Sequence, residues 1–398
     1  MEQLSILRKH IQGYFLSIFL FLVAFSFSYI PILFLPLSST YLLVASVIIL
    51  FMVLLYNKTS FKELFNDYSI FFWYSIFLIW YSIRLLTAAS TQLILVNFES
   101  VYFVNSIVIF LCINFRHLKD YVSKVIFFLS SIYFIIGITA YSSFLTNEVT
   151  GFFNIFELFE LDFEGQIYQN VGFWISLLSI CFFNYIIIYF KSFKENKLIF
   201  IGLILSFLLS IIFLLLSGAR GSLLGLMIAL IYLSRNIRDK RFIFSSIFVI
   251  LLFLIFMLLN QEIFLTINRF LILFSGDESS RIYLFSQAIK LWSQDISTIL
   301  FGAGVKSFPI FIYQNDFGYY PHNVFLEILC ELGLIGLIIF LRILFLFFKH
   351  RGDNELINTF SIFLICLFCF SDSFDSFYKV FFFLCLGIKN INKEYLIR

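Results

Sequence analysis

Long apolar runs follow one another along almost the whole chain, and they limit its possible folds more than any other feature. A helix needs about 20 mostly apolar residues to cross the hydrocarbon core of a bilayer. Only 13% of the residues are charged, whereas soluble chains have roughly 25%. The sequence therefore predicts an all-α polytopic membrane protein. Its predicted spans, about twelve, lie near 13–34, 38–56, 68–88, 98–115, 122–145, 168–190, 198–217, 221–234, 242–260, 323–348, 355–371 and 376–388.

The distribution of basic residues sets the orientation of these spans. Lys and Arg are enriched in the cytoplasmic segments of membrane proteins. With a cytoplasmic N-terminus and twelve spans, the inside segments hold 19 of the 27 basic residues, and both termini are cytoplasmic. These residues are Arg8, Lys9, Lys58, Lys62, Arg116, Lys119, Lys124, Lys191, Lys194, Lys197, Arg235, Arg238, Lys240, Arg241, Lys349, Arg351, Lys389, Lys393 and Arg398.

Eight basic residues do not serve this topology, and most of them lie outside or near outer helix ends. Arg342 is interpreted as reaching back toward the cytoplasmic interface. Each of the others needs a different reason for its position. The eight are Arg84, Arg220, Arg269, Arg281, Lys290, Lys306, Arg342 and Lys379.

Two of the predicted outer loops are long, and both belong to a single transmembrane domain, 1–398. The loop at 146–167 is acidic, and the loop at 261–322 is too long to be a plain connector. In the second loop, apolar residues recur at helical spacing after a set of capping residues at 277–280, which predicts a short amphipathic helix on the membrane surface. Its apolar residues are Ile282, Phe285, Ile289 and Trp292.

Arg220 stands between two predicted spans in the segment SGARGSLLGL, residues 217–226. A guanidinium group presents a planar fork of donors that fits phosphate oxygens. The alternative is a tight hairpin of small residues with an arginine that extends to the interface. Arg281, at the start of the loop helix, has the same two interpretations, as a phosphate ligand or as a solvated surface charge.

The segment PHNVFLEILCELGLIGL, residues 321–337, places polar residues at the outer start of a span. His322 is a candidate base, since a neutral imidazole can accept a proton from a sugar hydroxyl. Glu327 and Glu331 are four residues apart and share a helix face, where carboxylates are costly and are usually functional or paired. The alternative is an interfacial histidine with two glutamates paired to nearby arginines.

Further polar residues are placed to line an outward-facing cavity: Arg84, Gln169, Asn170 and Asn323, with Asp372 and Asp375 between the last two spans. The sequence has no Walker loop, no HExxH, no GxSxG and no zinc-ligand spacing. We therefore expect neither a metal nor a cofactor, and the scattered basic residues do not indicate a nucleic-acid partner.

Four motifs occur in a fixed order: GARGSLLGL, an R-x6-A-x3-W pattern, FGAGVKSF and PHNVFLEILCELGLIGL. The second motif runs from Arg281 through Ala288 to Trp292. Together the four motifs, over about 168–345, resemble the O-antigen polymerase and O-antigen ligase superfamily of bacterial envelope proteins.

The resemblance implies a metal-independent, inverting glycosyltransferase with a GT-C-like fold and a large periplasmic loop. It implies a donor glycan on undecaprenyl diphosphate, used at the periplasmic face of the bacterial inner membrane. Arg220 and Arg281 would then hold the diphosphate, and His322 would activate the acceptor hydroxyl. Arg84, Gln169, Asn170, Asn323, Glu327 and Glu331 are the predicted substrate-binding residues.

Within the superfamily, the forms PHNVFLE and FGAGVKSF look more like polymerases, which transfer the growing chain onto a new lipid-linked repeat unit. The alternative is a ligase, which transfers the chain onto lipid A–core. A transporter of lipid-linked sugars is less favoured, because the sequence lacks an internal hydropathy repeat. Expected partners are the lipid-linked oligosaccharide, membrane lipids and a chain-length-regulating membrane protein.

Overall fold

The computed structural model describes residues 2–25, 47–50, 52, 68–87, 98–144, 167–190, 196–216, 219–235, 280–313, 320–370 and 374–389. Most of the predicted span 38–56 and all of span 242–260 lie outside these residues. So do 146–166 of the first outer loop, 261–279 and 314–319 of the second, and Asp372.

The described ranges contain thirteen α-helices and no β-strand. A π-helix (Phe98–Val104) precedes the third α-helix, and 3₁₀ turns (Arg116–Leu118 and Phe374–Ser376) follow the third and twelfth. The α-helices are α1 (Glu2–Phe25), α2 (Tyr68–Leu85), α3 (Asn105–Asn114), α4 (Lys119–Phe144), α5 (Ile167–Phe190), α6 (Lys197–Leu216), α7 (Arg220–Ser234), α8 (Ser280–Trp292), α9 (Ile296–Phe301), α10 (Ser307–Tyr313), α11 (Val324–Lys349), α12 (Glu355–Phe368) and α13 (Tyr378–Leu386).

Three of these helices are long and apolar enough to cross a membrane, over Gly172–Phe190, Lys197–Leu215 and Val324–Lys349. A fourth candidate is the pair Val101–Asn114 and Arg116–Ile135, which is bent by 69° and counts as one span if it is a broken helix. Four shorter apolar helices add to these. The chain is therefore an all-α membrane protein, as predicted, whereas the number twelve and the GT-C-like arrangement stay predictions.

Large apolar side chains are exposed on the outward faces of several helices. Ile79, Leu198, Ile231 and Ile338 are each more than 60% exposed. A soluble protein of one chain rarely exposes so many large apolar groups, whereas lipid covers them without cost. These faces identify the sides of α2, α6, α7 and α11 that meet the bilayer.

The described residues fall into two compact units. Unit 1 contains those within 1–27, 37–122 and 278–398, and unit 2 contains those within 28–36 and 123–277. The organisation as a single transmembrane domain stays a prediction.

Phenylalanine rings form much of the core of unit 1. The ring of Phe340 on α11 contacts Phe77 on α2, with ring centroids 6.0 Å apart, and Phe377 before α13, at 5.0 Å. Phe374 contacts both Phe77 and Phe340, at 5.3 and 5.7 Å. Aromatic pairs at these separations add stabilisation beyond area burial, about 0.5–1.5 kcal/mol each. Many of the 60 phenylalanines therefore pack inside the protein as well as against lipid.

The predicted loop helix exists as α8, and residues outside the predicted apolar set form the face that is buried in the protein. Leu284, Ala288 and Leu291 are buried against Cys330 of α11 and Phe308 of α10. Ile282 and Ile289, which were predicted to form the apolar face, are 51% and 48% exposed. The helix is apolar on two sides, so its packing against α11 decides which side is buried. Ile282 and Ile289 remain available to a membrane surface.

In unit 2, α5 packs against both α6 and α7. A Cβ atom at Gly172 would lie 2.3 Å from Cβ of Ala219 and 2.8 Å from Oγ of Ser222. Only glycine permits this approach, and the small buried residues at the start of α7 complete it. Small residues of the SGARGS segment thus contact α5, and the predicted tight turn at 217–218 lies outside the described residues.

Candidate functional site

Helix α11 is interrupted at Gly333, whose backbone is left-handed, with φ 72° and ψ −173°. An interruption leaves the carbonyls of the preceding turn without partners inside the helix. Three of them accept hydrogen bonds from elsewhere. The N–H of Ala303 donates to Cys330 O (2.8 Å) and that of Gly304 to Glu331 O (3.0 Å). Nε1 of Trp80 on α2 donates to Leu332 O at 3.0 Å.

The donors Ala303 and Gly304 belong to residues 302–306, GAGVK, which we call the glycine turn. Gly302 and Gly304 both have positive φ, at 81° and 106°. A Cβ atom at Gly302 would lie 2.3 Å from the carbonyl oxygen of Glu331, and one at Gly333 would lie 2.4 Å from that of Leu300. The two segments thus meet backbone to backbone, which explains the FGAGVKSF and ELGLIGL motifs in terms of one contact.

A buried ion pair accompanies this backbone contact. Nζ of Lys306 lies 3.8 Å from Oε1 of Glu327, and the two side chains are 11% and 4% exposed. Oε2 of Glu327 accepts a hydrogen bond from the N–H of Phe374 at 2.8 Å. A small pocket adjoins the pair, lined by Tyr81, Lys306, Glu327, Ile328, Glu331, Leu332 and Phe374.

Glu327 and Glu331 do share one helix face, and the structure brings both into the lining of this pocket. Both are buried, at 3% and 6% exposure. Glu327 pairs with a lysine. The alternative interpretation of the sequence expected an arginine. Binding of sugar hydroxyls by Glu327 and Glu331 stays a prediction.

His322 lies immediately before α11, in the left-handed region with φ 55°. Its ring packs on Tyr320, with ring centroids 4.3 Å apart. Lys306, with φ 57°, and His322 are the two non-glycine residues with positive φ in the described ranges. Such backbone strain is held in place by surrounding contacts and is found often at functional sites.

Asn323 begins α11 as its N-cap. Its Oδ1 atom accepts hydrogen bonds from the N–H groups of Phe325 and Leu326, at 3.0 and 3.1 Å. This contact accounts for an asparagine at the position, and substrate binding by its amide nitrogen stays a prediction.

Arg84 lies at the end of α2, and its Nη2 atom donates to Gly302 O at 2.7 Å. It therefore holds the glycine turn through the carbonyl of Gly302. Arg281 lies in the first turn of α8, which packs on α11. Within the same helix, Trp292 fixes the α8–α9 corner, because its Nε1 atom donates to Ile299 O at 3.0 Å.

The other predicted residues belong to unit 2. Arg220 is the first residue of α7, and Gln169 and Asn170 lie in the first turn of α5. Because Gly172 packs on Ala219, the starts of α5 and α7 lie at the same end of this unit. The structure thus places Gln169, Asn170 and Arg220 at one end of unit 2, and the position of this end at the outer face stays a prediction.

Lys306 is the residue that sequence reasoning did not assign to the site. Two signals pointed to it: it breaks the charge rule for topology, and it ends the glycine turn. Tyr81 and Phe374 gave no comparable signal, since aromatic residues are frequent throughout the chain. In the described part of the chain, no group of three or more His, Cys, Asp or Glu residues could hold a metal ion. Metal independence itself stays a prediction.

Comparison with known proteins gives one family match. The family model described as O-antigen ligase matches residues 205–341, a segment that contains Arg220, Arg281, the glycine turn, His322, Glu327 and Glu331. No curated protein and no solved structure matches the chain. Over residues 205–341 the chain is therefore similar to the O-antigen ligase family, which supports the resemblance to the O-antigen polymerase and ligase superfamily.

Proposed function

We propose that this protein is an O-antigen polymerase, or a polymerase of a related polysaccharide. It transfers a glycan from undecaprenyl diphosphate onto a new lipid-linked repeat unit at the periplasmic face of the bacterial inner membrane. The observation that carries the proposal is the family match, because the matched segment contains the proposed base and both proposed diphosphate ligands.

In this reaction, the acceptor hydroxyl attacks the anomeric carbon from the face opposite the diphosphate. The bond from that carbon to the diphosphate oxygen breaks, and the diphosphate leaves with the electron pair. His322 takes the hydroxyl proton, and the configuration at the anomeric carbon inverts. The guanidinium groups of Arg220 and Arg281 stabilise the charge that develops on the leaving group.

The proposed reaction needs one base and a neutralised leaving group. A diphosphate ester already departs readily, so the paired carboxylates of a glycosidase are not required. Glu327 and Glu331 can then bind the sugar and stabilise the fold. This division agrees with their burial beside Lys306.

A ligase that transfers the glycan to lipid A–core is the second candidate, and the family match supports it as well as a polymerase. Both reactions use the same donor and the same three groups, and they differ in the acceptor. A transporter of lipid-linked sugars would not need a base at the start of α11.

Deletion of the gene, followed by gel analysis of lipopolysaccharide, separates these functions. Loss of a polymerase leaves core carrying one repeat unit, whereas loss of a ligase leaves bare core and polymer on the lipid carrier. A deletion strain with a normal ladder of chain lengths would contradict both. Plasmid-borne wild-type protein should restore the ladder, and Arg220→Ala, Arg281→Ala and His322→Ala should not, although each protein remains in the membrane.

A further inference from the structure

We propose that Lys306 is a positioning residue for the glycosyl transfer: paired with Glu327, it holds the glycine turn on the interrupted helix α11 and so fixes the start of α11, where His322 lies. The inference rests on the proposed function for its catalytic part and on the described contacts for its structural part.

The first step concerns the backbone around Gly333. A helix interrupted in an apolar environment is stable only if other groups satisfy the exposed carbonyls. Ala303, Gly304 and Trp80 supply these donors to three consecutive carbonyls. The glycine turn is therefore a structural part of α11, although it lies about thirty residues earlier in the sequence.

The second step concerns the ion pair. Lys306 ends the glycine turn in a strained left-handed conformation, and it is buried. Glu327 lies one turn into α11. Its other carboxylate oxygen accepts a hydrogen bond from the N–H of Phe374. The pair thus joins the turn, the start of α11 and the segment before α13 at one point.

The third step links the pair to the proposed base. Asn323 caps α11 directly after His322, and Glu327 N–H donates to Asn323 O at 2.9 Å. A shift of Glu327 would therefore move the cap and the backbone of His322, which is itself strained. A small displacement of a catalytic group can cost a large factor in rate.

A lysine that binds the substrate and a lysine that positions other groups differ in whether a second substitution restores the activity lost with them. If Lys306→Met leaves Glu327 as a buried carboxylate without its lysine, the added change Glu327→Gln removes that charge. Two neutral groups of similar shape can replace a buried ion pair with little loss. A lysine that bound the substrate would not be rescued in this way.

Cys330 is a native reporter of the turn that does not depend on activity. Its carbonyl accepts from Ala303, and its side chain is fully buried. In a variant whose other five cysteines are replaced by serine or alanine, the rate of maleimide labelling at Cys330 in native membranes measures opening of the turn. Lys290→Met, on the exposed side of α8, is the matched lysine control.

We expect Lys306→Met and Glu327→Gln each to raise the labelling rate roughly tenfold, and the double variant to label more slowly than either, because a single change leaves one buried charge unpaired. In assays with a lipid-linked donor, the single variants should lose kcat, while KM stays within about twofold. The double variant should recover part of the lost kcat.

Unchanged labelling in both single variants would overturn the structural part of the inference. A double variant that keeps Cys330 buried but is no more active than the singles would overturn the catalytic part. If the wild-type protein shows no glycosyl transfer, the proposed function fails, and the labelling experiment still decides whether the pair holds the turn.

Discussion

Trp80 and Leu332 are 252 residues apart in sequence, and the indole Nε1 of the first donates a 3.0 Å hydrogen bond to the carbonyl of the second. This carbonyl is the last one before the interruption of α11. An aromatic side chain of α2 therefore completes the backbone hydrogen bonding of another helix, which places Trp80 among the residues that shape the site.

Trp80→Phe removes the donor and keeps most of the ring. The Leu332 carbonyl would then be buried without its partner, which costs about 1–3 kcal/mol. We expect the detergent-solubilised protein to unfold at a lower temperature, as measured by fluorescence-detected size exclusion after heating. Trp73→Phe, two turns earlier on α2, is the matched control. A melting temperature of Trp80→Phe equal to that of the wild-type protein would show that the bond contributes nothing.

Gly333→Ala tests the interruption itself. The backbone of Gly333, with φ 72° and ψ −173°, lies in a region that costs a non-glycine residue about 1–3 kcal/mol, and the new Cβ would lie 2.4 Å from Leu300 O. We expect strong destabilisation, seen as low membrane yield or a large fall in melting temperature. Gly202→Ala is the control, because a Cβ there meets nothing within 4 Å. It should leave yield and melting unchanged.

His322→Asn tests the proposed base with little disturbance of the backbone. Asparagine tolerates the left-handed conformation better than alanine does, so the start of α11 should persist. We expect normal membrane levels and loss of long-chain glycan on a gel. His350→Asn, at the opposite end of α11, should keep the full ladder. A full ladder from His322→Asn would exclude His322 as an essential base.

Asn323→Asp and Asn323→Ala separate capping from substrate binding. Aspartate is as good an N-cap as asparagine, whereas alanine costs about 1 kcal/mol at this position. If Asn323 only caps α11, Asn323→Asp should keep both the melting temperature and polymer synthesis. Asn323→Ala should lower the melting temperature. If the amide nitrogen binds the sugar, Asp should keep the melting temperature but lose polymer.

The sequence predicted the helices well where a single segment decides the outcome. Apolar runs predicted α5, α6, α7 and α12 within a few residues of their observed bounds, because any apolar helix of sufficient length is stable in lipid. The segment after Pro321 likewise predicted a span that starts at 323, one residue before the observed start of α11. These are local properties that neighbouring segments do not change.

The interruption at Gly333 could not be predicted, because a glycine in an apolar helix is usually tolerated. It depends on donors from Trp80 and the glycine turn, which are distant in sequence. For the same reason, Lys306 and Glu327 stood in separate motifs with no sign that they meet. The buried face of α8 also depended on the surface of α11 rather than on its own periodicity.

The interruption of α11 has a consequence for how the protein is made. Carbonyl groups freed in hydrocarbon need hydrogen-bond donors, and the donors here, Trp80, Ala303 and Gly304, all precede α11 in the chain. They are therefore made before α11, which can bend at Gly333 once α2 and the glycine turn are beside it. The shape of the segment that carries His322 thus depends on segments that are synthesised earlier.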